Sequence, residues 1–149
     1  MPEITRKELV TALIGAGSNP RLAGVDLTQL DMTRLDMTNA NMRGARLTGA
    51  TLRESIMRQA NITYVDLTVA KAVGCDFDSA NLTGSNLTGA DLSSARLTNA
   101  NLTNVIVNDA NLTGANMRGA NVSGIRFNDK TTWPDGKKGS AGDPLSYTR

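Results

Sequence analysis

The stretch Ala80-Asn81-Leu82-Thr83-Gly84-Ser85-Asn86-Leu87-Thr88-Gly89-Ala90-Asp91-Leu92 repeats itself every five residues. Stepping outward by five from Leu82 gives Leu27, Met32, Met37, Met42, Leu47 and Leu52 on one side. On the other side it gives Leu87, Leu92, Leu97, Leu102, Val107, Leu112, Met117, Val122 and Phe127. Every such centre from Leu27 to Phe127 is apolar, and Ala72 alone is small. Two residues before each centre stands a small or apolar residue, most often alanine, as at Ala40, Ala60, Ala80 and Ala100. The position between is usually Asp or Asn. The unit is therefore Ala-(Asp/Asn)-Leu-x-x, held for 21 copies from Val25 to Asp129 without a slip.

A period of five fits neither regular element. A helix turns every 3.6 residues and would smear these centres around its surface. A flat strand alternates every two, so centres five apart would fall on opposite faces. A chain that turns a corner every five residues satisfies the pattern, with one large and one small side chain per unit pointing inward. Thr, Ser, Asn and Gly at the outer positions suit such corners. Internal periodicity of this kind marks a stacked repeat array.

The units Ala80-Asn81-Leu82-Thr83-Gly84, Ala90-Asp91-Leu92 and Ala110-Asn111-Leu112-Thr113-Gly114 closely resemble the pentapeptide-repeat family. The resemblance implies an all-β fold: a right-handed, four-sided β-solenoid of 21 pentapeptide repeats, here with a short N-terminal capping helix. Four units then close one coil, and coils stack at the roughly 4.8 Å spacing of a β-ladder, giving a rod on the order of 25 Å long. Three segments follow: a capping helix and turn over 1–20, the solenoid over 21–129, and a C-terminal cap with a flexible tail over 130–149.

An open solenoid exposes an apolar end and unpaired backbone, so both ends need covers. Thr5-Arg6-Lys7-Glu8 has the form of a capping box. Leu9, Leu13 and Ile14 then share a face with Ile4 near the first coil, and Gly15 or Gly17 ends the helix. At the far end Trp133 covers the last coil, and residues 137–149 fray.

Composition excludes much. There is no histidine, one cysteine (Cys75), and 3% aromatic content. The commonest general base, disulfides within the chain and multi-cysteine zinc sites are gone. No phosphate-cradling loop or metal-ligand spacing occurs, so no enzyme, cofactor or metal is expected. Cys75 falls at a small inward position and reads as an alanine substitute. Asp76 and Asp78 flank Phe77, but two carboxylates alone make no cation site. The N-terminus lacks a signal-peptide pattern and no segment is apolar enough to span a membrane. A cytoplasmic location is the expectation.

Residues twenty apart share a face. One face carries Asn41, Asn61, Asn81, Asn101 and Asn121, followed two positions later by Arg43, Thr63, Thr83, Thr103 and Ser123. It holds one charge, Arg43, and one aromatic, Tyr64; the other three faces mix signs. The structural role expected of the Asn row is a ladder of amides bonded coil to coil. The functional role is a flat neutral docking surface.

A non-enzymatic protein–protein interaction scaffold with an unknown protein partner is therefore the leading functional expectation. The quinolone-resistance members that the resemblance brings to mind mimic DNA and bind DNA gyrase. Such members have a strongly negative surface and dimerise through a C-terminal helix. Here the repeats carry 10 acidic and 9 basic residues, and the tail holds Pro134, Gly136, Gly139 and Gly142. That alternative is disfavoured, and an ice- or water-ordering surface is a remote third. No direct nucleic-acid or membrane binding is expected, and the chain is a monomer or an end-to-end dimer.

Overall fold

The computed structural model describes residues 2–149. The backbone climbs as stacked coils, with parallel bridges between residues twenty apart, from Arg21↔Asn41 and Asp26↔Arg46 to Asn101↔Asn121 and Ile106↔Arg126. Each coil thus contains four five-residue units. The bridging residue is the one just before each centre. Around it the ladder is regular: the Leu27 N–H donates to Arg46 O (2.8 Å), and the Arg46 N–H donates back to Val25 O (3.0 Å). Each side is only a bridge long because most of the unit is spent on the corner.

The corners are β-turns. The N–H of the residue after the turn donates to the centre's carbonyl, as Ala45 does to Met42 O (2.9 Å) and Ala95 to Leu92 O (3.0 Å). Only the third turn residue takes a positive φ, as at Gly44 (67°), Asn99 (55°) and Gly84 (69°), which is the signature of a type II turn. Glu54 (55°), Tyr64 (57°) and Val69 (51°) adopt the same left-handed conformation. Such residues resist it by about 1–2 kcal/mol each, so the stacked coils, not the local residue, dictate the turn.

The interior is built as the sequence pattern predicts. The centres Leu27, Met32, Phe77, Leu82 and Leu87 and the alanines beside them are buried. Where serine replaces alanine, its hydroxyl finds a turn carbonyl of the preceding coil: Ser55 Oγ donates to Met32 O (2.6 Å), and Ser85 Oγ to Ile62 O (2.5 Å). The Ser85 oxygen also accepts the Val65 N–H (2.9 Å), so it is inserted into that turn. A buried hydroxyl is tolerated when bonded in this way.

The paired stack is longer than the regular run. Pro20-Arg21-Leu22 forms a unit before Val25, with Leu22 buried and Arg21 bridged. Beyond Asp129 one extra residue enters, and Asn111 bridges Thr132, twenty-one positions on. Asn128 fills the gap: its Oδ1 accepts N–H groups from Asp109 (3.0 Å) and Lys130 (3.1 Å). Thr131 and Trp133 then point inward like a further small-and-large pair, both fully buried.

Helix α1, Arg6–Ala16, closes the first coil. Its capping box is formed, Glu8 N–H donating to Thr5 Oγ1 (3.2 Å) and Thr5 N–H to the Glu8 carboxylate (2.6 Å). Gly15 lies within the helix, and Gly17 is the residue that ends it. Leu9 is fully buried and Leu13 half-buried, but Ile14 is 80% exposed. The expected inward role of Ile14 is therefore wrong: Leu9 and Leu13 are four apart and share one side, whereas Ile14 is rotated away. Arg6 supplies a second cover. Its guanidinium donates to Asp31 O (2.7 Å) and Thr33 O (2.9 Å), in place of the backbone donors that a preceding coil would provide.

The C-terminal tail folds back rather than fraying. Residues Gly139–Ala141 and Pro144–Thr148 form short 3-10 helices. Trp133 is packed edge-on to Phe127 (centroids 5.1 Å apart) and stacked on Tyr147 (5.8 Å), and its Nε1–H donates to Gly139 O (2.8 Å). Gly142 lies against the indole so closely that a Cβ there would sit 2.2 Å from Cδ1. Gly119 N–H, at the open end of the last coil, donates to Thr148 O (2.7 Å). Large apolar contact and spare backbone donors order a segment whose Gly and Pro content alone reads as loose.

A pH test of this cap follows. The Lys137 ammonium beside Asp135 holds its carboxyl down at about 2, helped by the Lys137 N–H and the Tyr147 hydroxyl. Burial and the bond to Asp135 push the Tyr147 phenol up to about 12. A depressed carboxyl stabilises the fold above its unfolded value, about 3.9, and loses that contribution as pH falls towards 2; a raised phenol does so below about 10 and loses it as pH rises towards 12. Trp133 fluorescence is expected to stay constant between those limits and change outside them. A transition near neutral pH would contradict the assignment.

Candidate interaction faces

On the Asn face, no amide ladder forms. Each Asn Oδ1 instead accepts the N–H two residues ahead: from Arg43 for Asn41 (3.2 Å), Thr83 for Asn81 (3.1 Å) and Ser123 for Asn121 (3.0 Å). Thr63, Thr83 and Thr103 add their hydroxyls to the same oxygens of Asn61, Asn81 and Asn101 (2.8, 2.6 and 2.6 Å). These are Asx-turns, which fix the corner locally. The expected ladder is displaced because the oxygen is already engaged by the backbone at the corner. Among the described residues, side-chain amides reach across coils only on other faces, Asn111 to Asp91 (3.4 Å) and Asn128 to Asp109 (3.2 Å). The amide N–H groups of the Asn face are left for outside acceptors, with Asn41, Asn81 and Asn121 exposed.

On the other faces, several charges pair from coil to coil. Arg58 pairs with Asp76 (2.6 Å), Arg34 with Glu54 (2.6 Å), Arg46 with Asp26 (3.5 Å) and Arg96 with Asp78 (3.7 Å). Each pair joins neighbouring coils. The Asp76 and Asp78 carboxylates are thus drawn to different arginines, and Asp78 also accepts a short bond from the Thr98 hydroxyl. The acidic corners use the same Asx geometry as the asparagines. The Thr38 hydroxyl (2.7 Å) and then its N–H (3.0 Å) hold the Asp36 carboxyl below its ordinary value.

The Asn face is charged differently. Arg21, outside the counted run, joins it through the bridge to Asn41, so it bears two arginines rather than one. It has no carboxylate. Tyr64 is 61% exposed and lies flat over the next coil. A Cβ at residue 84 would stand 2.6 Å from its ring, so Gly84 is what admits it. The Arg43 guanidinium carbon stands 5.7 Å from the ring centroid, a cation–π distance.

Two other candidates are enclosed. Cys75 is fully buried, and burial pushes its thiol well up, away from the reactive thiolate. Trp133 is fully buried beneath the tail.

Short parallel bridges at a twenty-residue offset throughout the repeat run define a stacked-repeat solenoid. The family description "Pentapeptide repeats" matches in 8 copies over residues 21–59, 60–99 and 95–129. The chain belongs to the pentapeptide-repeat family. Among solved structures it is similar to a trypsin-treated form of QnrB1, a plasmid-mediated fluoroquinolone resistance protein, at 16% identity and TM-score 0.47. That match covers 76% of this chain and 62% of that one. It is also similar to HetL of the cyanobacterium Nostoc sp. strain PCC 7120, a pentapeptide repeat protein involved in heterocyst differentiation regulation. There the identity is 26%, the coverage 80% and 66%, and the TM-score 0.40. A third is Rfr23 of the cyanobacterium Cyanothece 51142, at 25% identity, 84% and 99% coverage and TM-score 0.42. Curated proteins gave no match. No helix among the described residues is long and apolar enough to cross a membrane.

Proposed function

We propose that this chain is a non-enzymatic protein–protein interaction scaffold: a right-handed, four-sided rod whose Asn face is the docking surface. The observation that carries the reading is the contrast between faces. Elsewhere, Arg34, Arg46, Arg58 and Arg96 each meet a carboxylate across coils, and every other face carries acids as well as bases. The Asn face instead offers unengaged amide N–H groups beside Thr63, Thr83 and Thr103, with Tyr64 and Arg43, the residue types that anchor interfaces. Mimicry of DNA, and with it gyrase binding, is disfavoured, because Asp26, Glu54, Asp76 and Asp78 each meet an arginine and the repeats carry 10 acidic against 9 basic residues.

The test is affinity capture with wild type beside an Asn61→Asp, Asn81→Asp, Asn101→Asp variant. Aspartate occupies this same position at Asp36 and Asp66 and accepts the same turn bonds, so the fold is kept while the face is recharged. A partner held by wild type and lost from the variant is the expected result. A partner held equally by both moves the docking surface to another face.

A further inference from the structure

We infer that the partner of the Asn face is acidic: a peptide segment that brings carboxylates to Arg21 and Arg43, with Tyr64 as the platform beside them. This rests on the reading of that face as the docking surface. The solenoid makes the comparison internal, since the same position recurs on every side. Arg58 follows its centre directly and meets Asp76, eighteen residues on, at 2.6 Å. Arg43 also follows its centre directly, and the residue eighteen on is Asn61. Arg46 stands just before its centre and pairs with Asp26, one coil away, at 3.5 Å. Arg21 also stands just before its centre, and its neighbour one coil away is Asn41. Where Arg58 and Arg46 meet aspartate, Arg43 and Arg21 at the matching positions meet asparagine. Neither forms an ion pair among the described residues.

Asparagine keeps the turn, because its Oδ1 accepts the same N–H that aspartate would. It withholds the countercharge. The face therefore satisfies its own backbone and leaves two guanidinium groups unneutralised. The Arg43 guanidinium rests over Tyr64, a contact that fixes its position while its N–H edges remain able to take a carboxylate in a two-bond fork. The neutral Asn row beyond adds amide donors without a repelling charge.

Two measurements test this. In the first, a short Glu-rich peptide and its Gln-for-Glu copy are titrated into the isotope-labelled protein. The Glu peptide is expected to shift signals of Arg21, Arg43 and Tyr64, and the Gln copy to bind about tenfold or more weakly. Combining Arg21→Gln with Arg43→Gln should cost the Glu peptide a similar factor, while Arg34→Gln changes nothing. Equal binding of the two peptides overturns the inference, as do no shifts at all or shifts gathered on Lys130, Lys137 and Lys138. The second repeats the capture with Asn61, Asn81 and Asn101 changed to Lys. A partner lost from the Asp variant and kept by the Lys variant supports an acidic occupant. Loss from both leaves the face as the docking surface and refutes the carboxylate requirement. Retention by both refutes the docking surface itself.

Discussion

Replacing Leu87 by lysine is expected to unfold the protein. Leu87 is 1% exposed, and Leu67 and Val107 hold the same place in the coils before and after it. The wall around it is a continuous hydrogen-bonded backbone, from the Leu87 N–H bond to Ile106 O (2.7 Å) to the Ala90 bond closing the next corner (3.0 Å). A lysine at this place has no route to water and no acid inside to meet. Burying an unpaired ammonium costs several kcal/mol even after relaxation, against a total stability of about 5–15 kcal/mol. The β-type circular dichroism signal and the cooperative urea transition should both be lost. Asn81→Lys, six residues earlier and exposed, should shift stability by no more than about 0.5 kcal/mol. The opposite ranking would mean that the inward and outward positions have been exchanged.

Trp133→Ala is expected to release the C-terminal end without dissolving the rod. The indole is fully buried between Phe127 and Tyr147, and Gly142 is shaped to it. Truncation of so large a buried side chain costs about 3–5 kcal/mol. Repeat arrays couple mainly nearest neighbours, so the loss falls first on the terminal coil. Trypsin should then cut faster after Lys130, Lys137 and Lys138 than in the wild type, while the coils before Ala100 stay protected. If the variant proves as resistant as the wild type, the tail is not the cap described above.

The five-residue step was legible because it is written in the interior. Leu, Met and Ala recur where the coil must be filled, and no competing period accounts for them. The ends were harder to read. Pro20 stands where alanine is usual, and Thr131-Thr132-Trp133 repeats the small-and-large spacing one residue out of phase. Allowing a single insertion would have exposed that unit. The ordered tail left no periodic signal, since it is held by one tryptophan and a few backbone donors. The face was legible as a row of Asn, but its amide ladder was not formed. Whether Asn bonds its neighbour above or its own corner depends on backbone angles that the amino-acid types do not state. Pairing of arginines with acids eighteen or twenty residues away could have been read from spacing alone.

The left-handed corners have a further implication. Glu54, Tyr64 and Val69 accept a conformation they would avoid in isolation, because the coils above and below leave the chain no other path. Conformation and surface chemistry are thereby uncoupled at these positions. A lineage of such chains can rewrite its outer vocabulary, residue by residue, against a backbone that does not answer back. New recognition surfaces can then arise by drift at the corners, each change bearing a small strain shared by the whole stack.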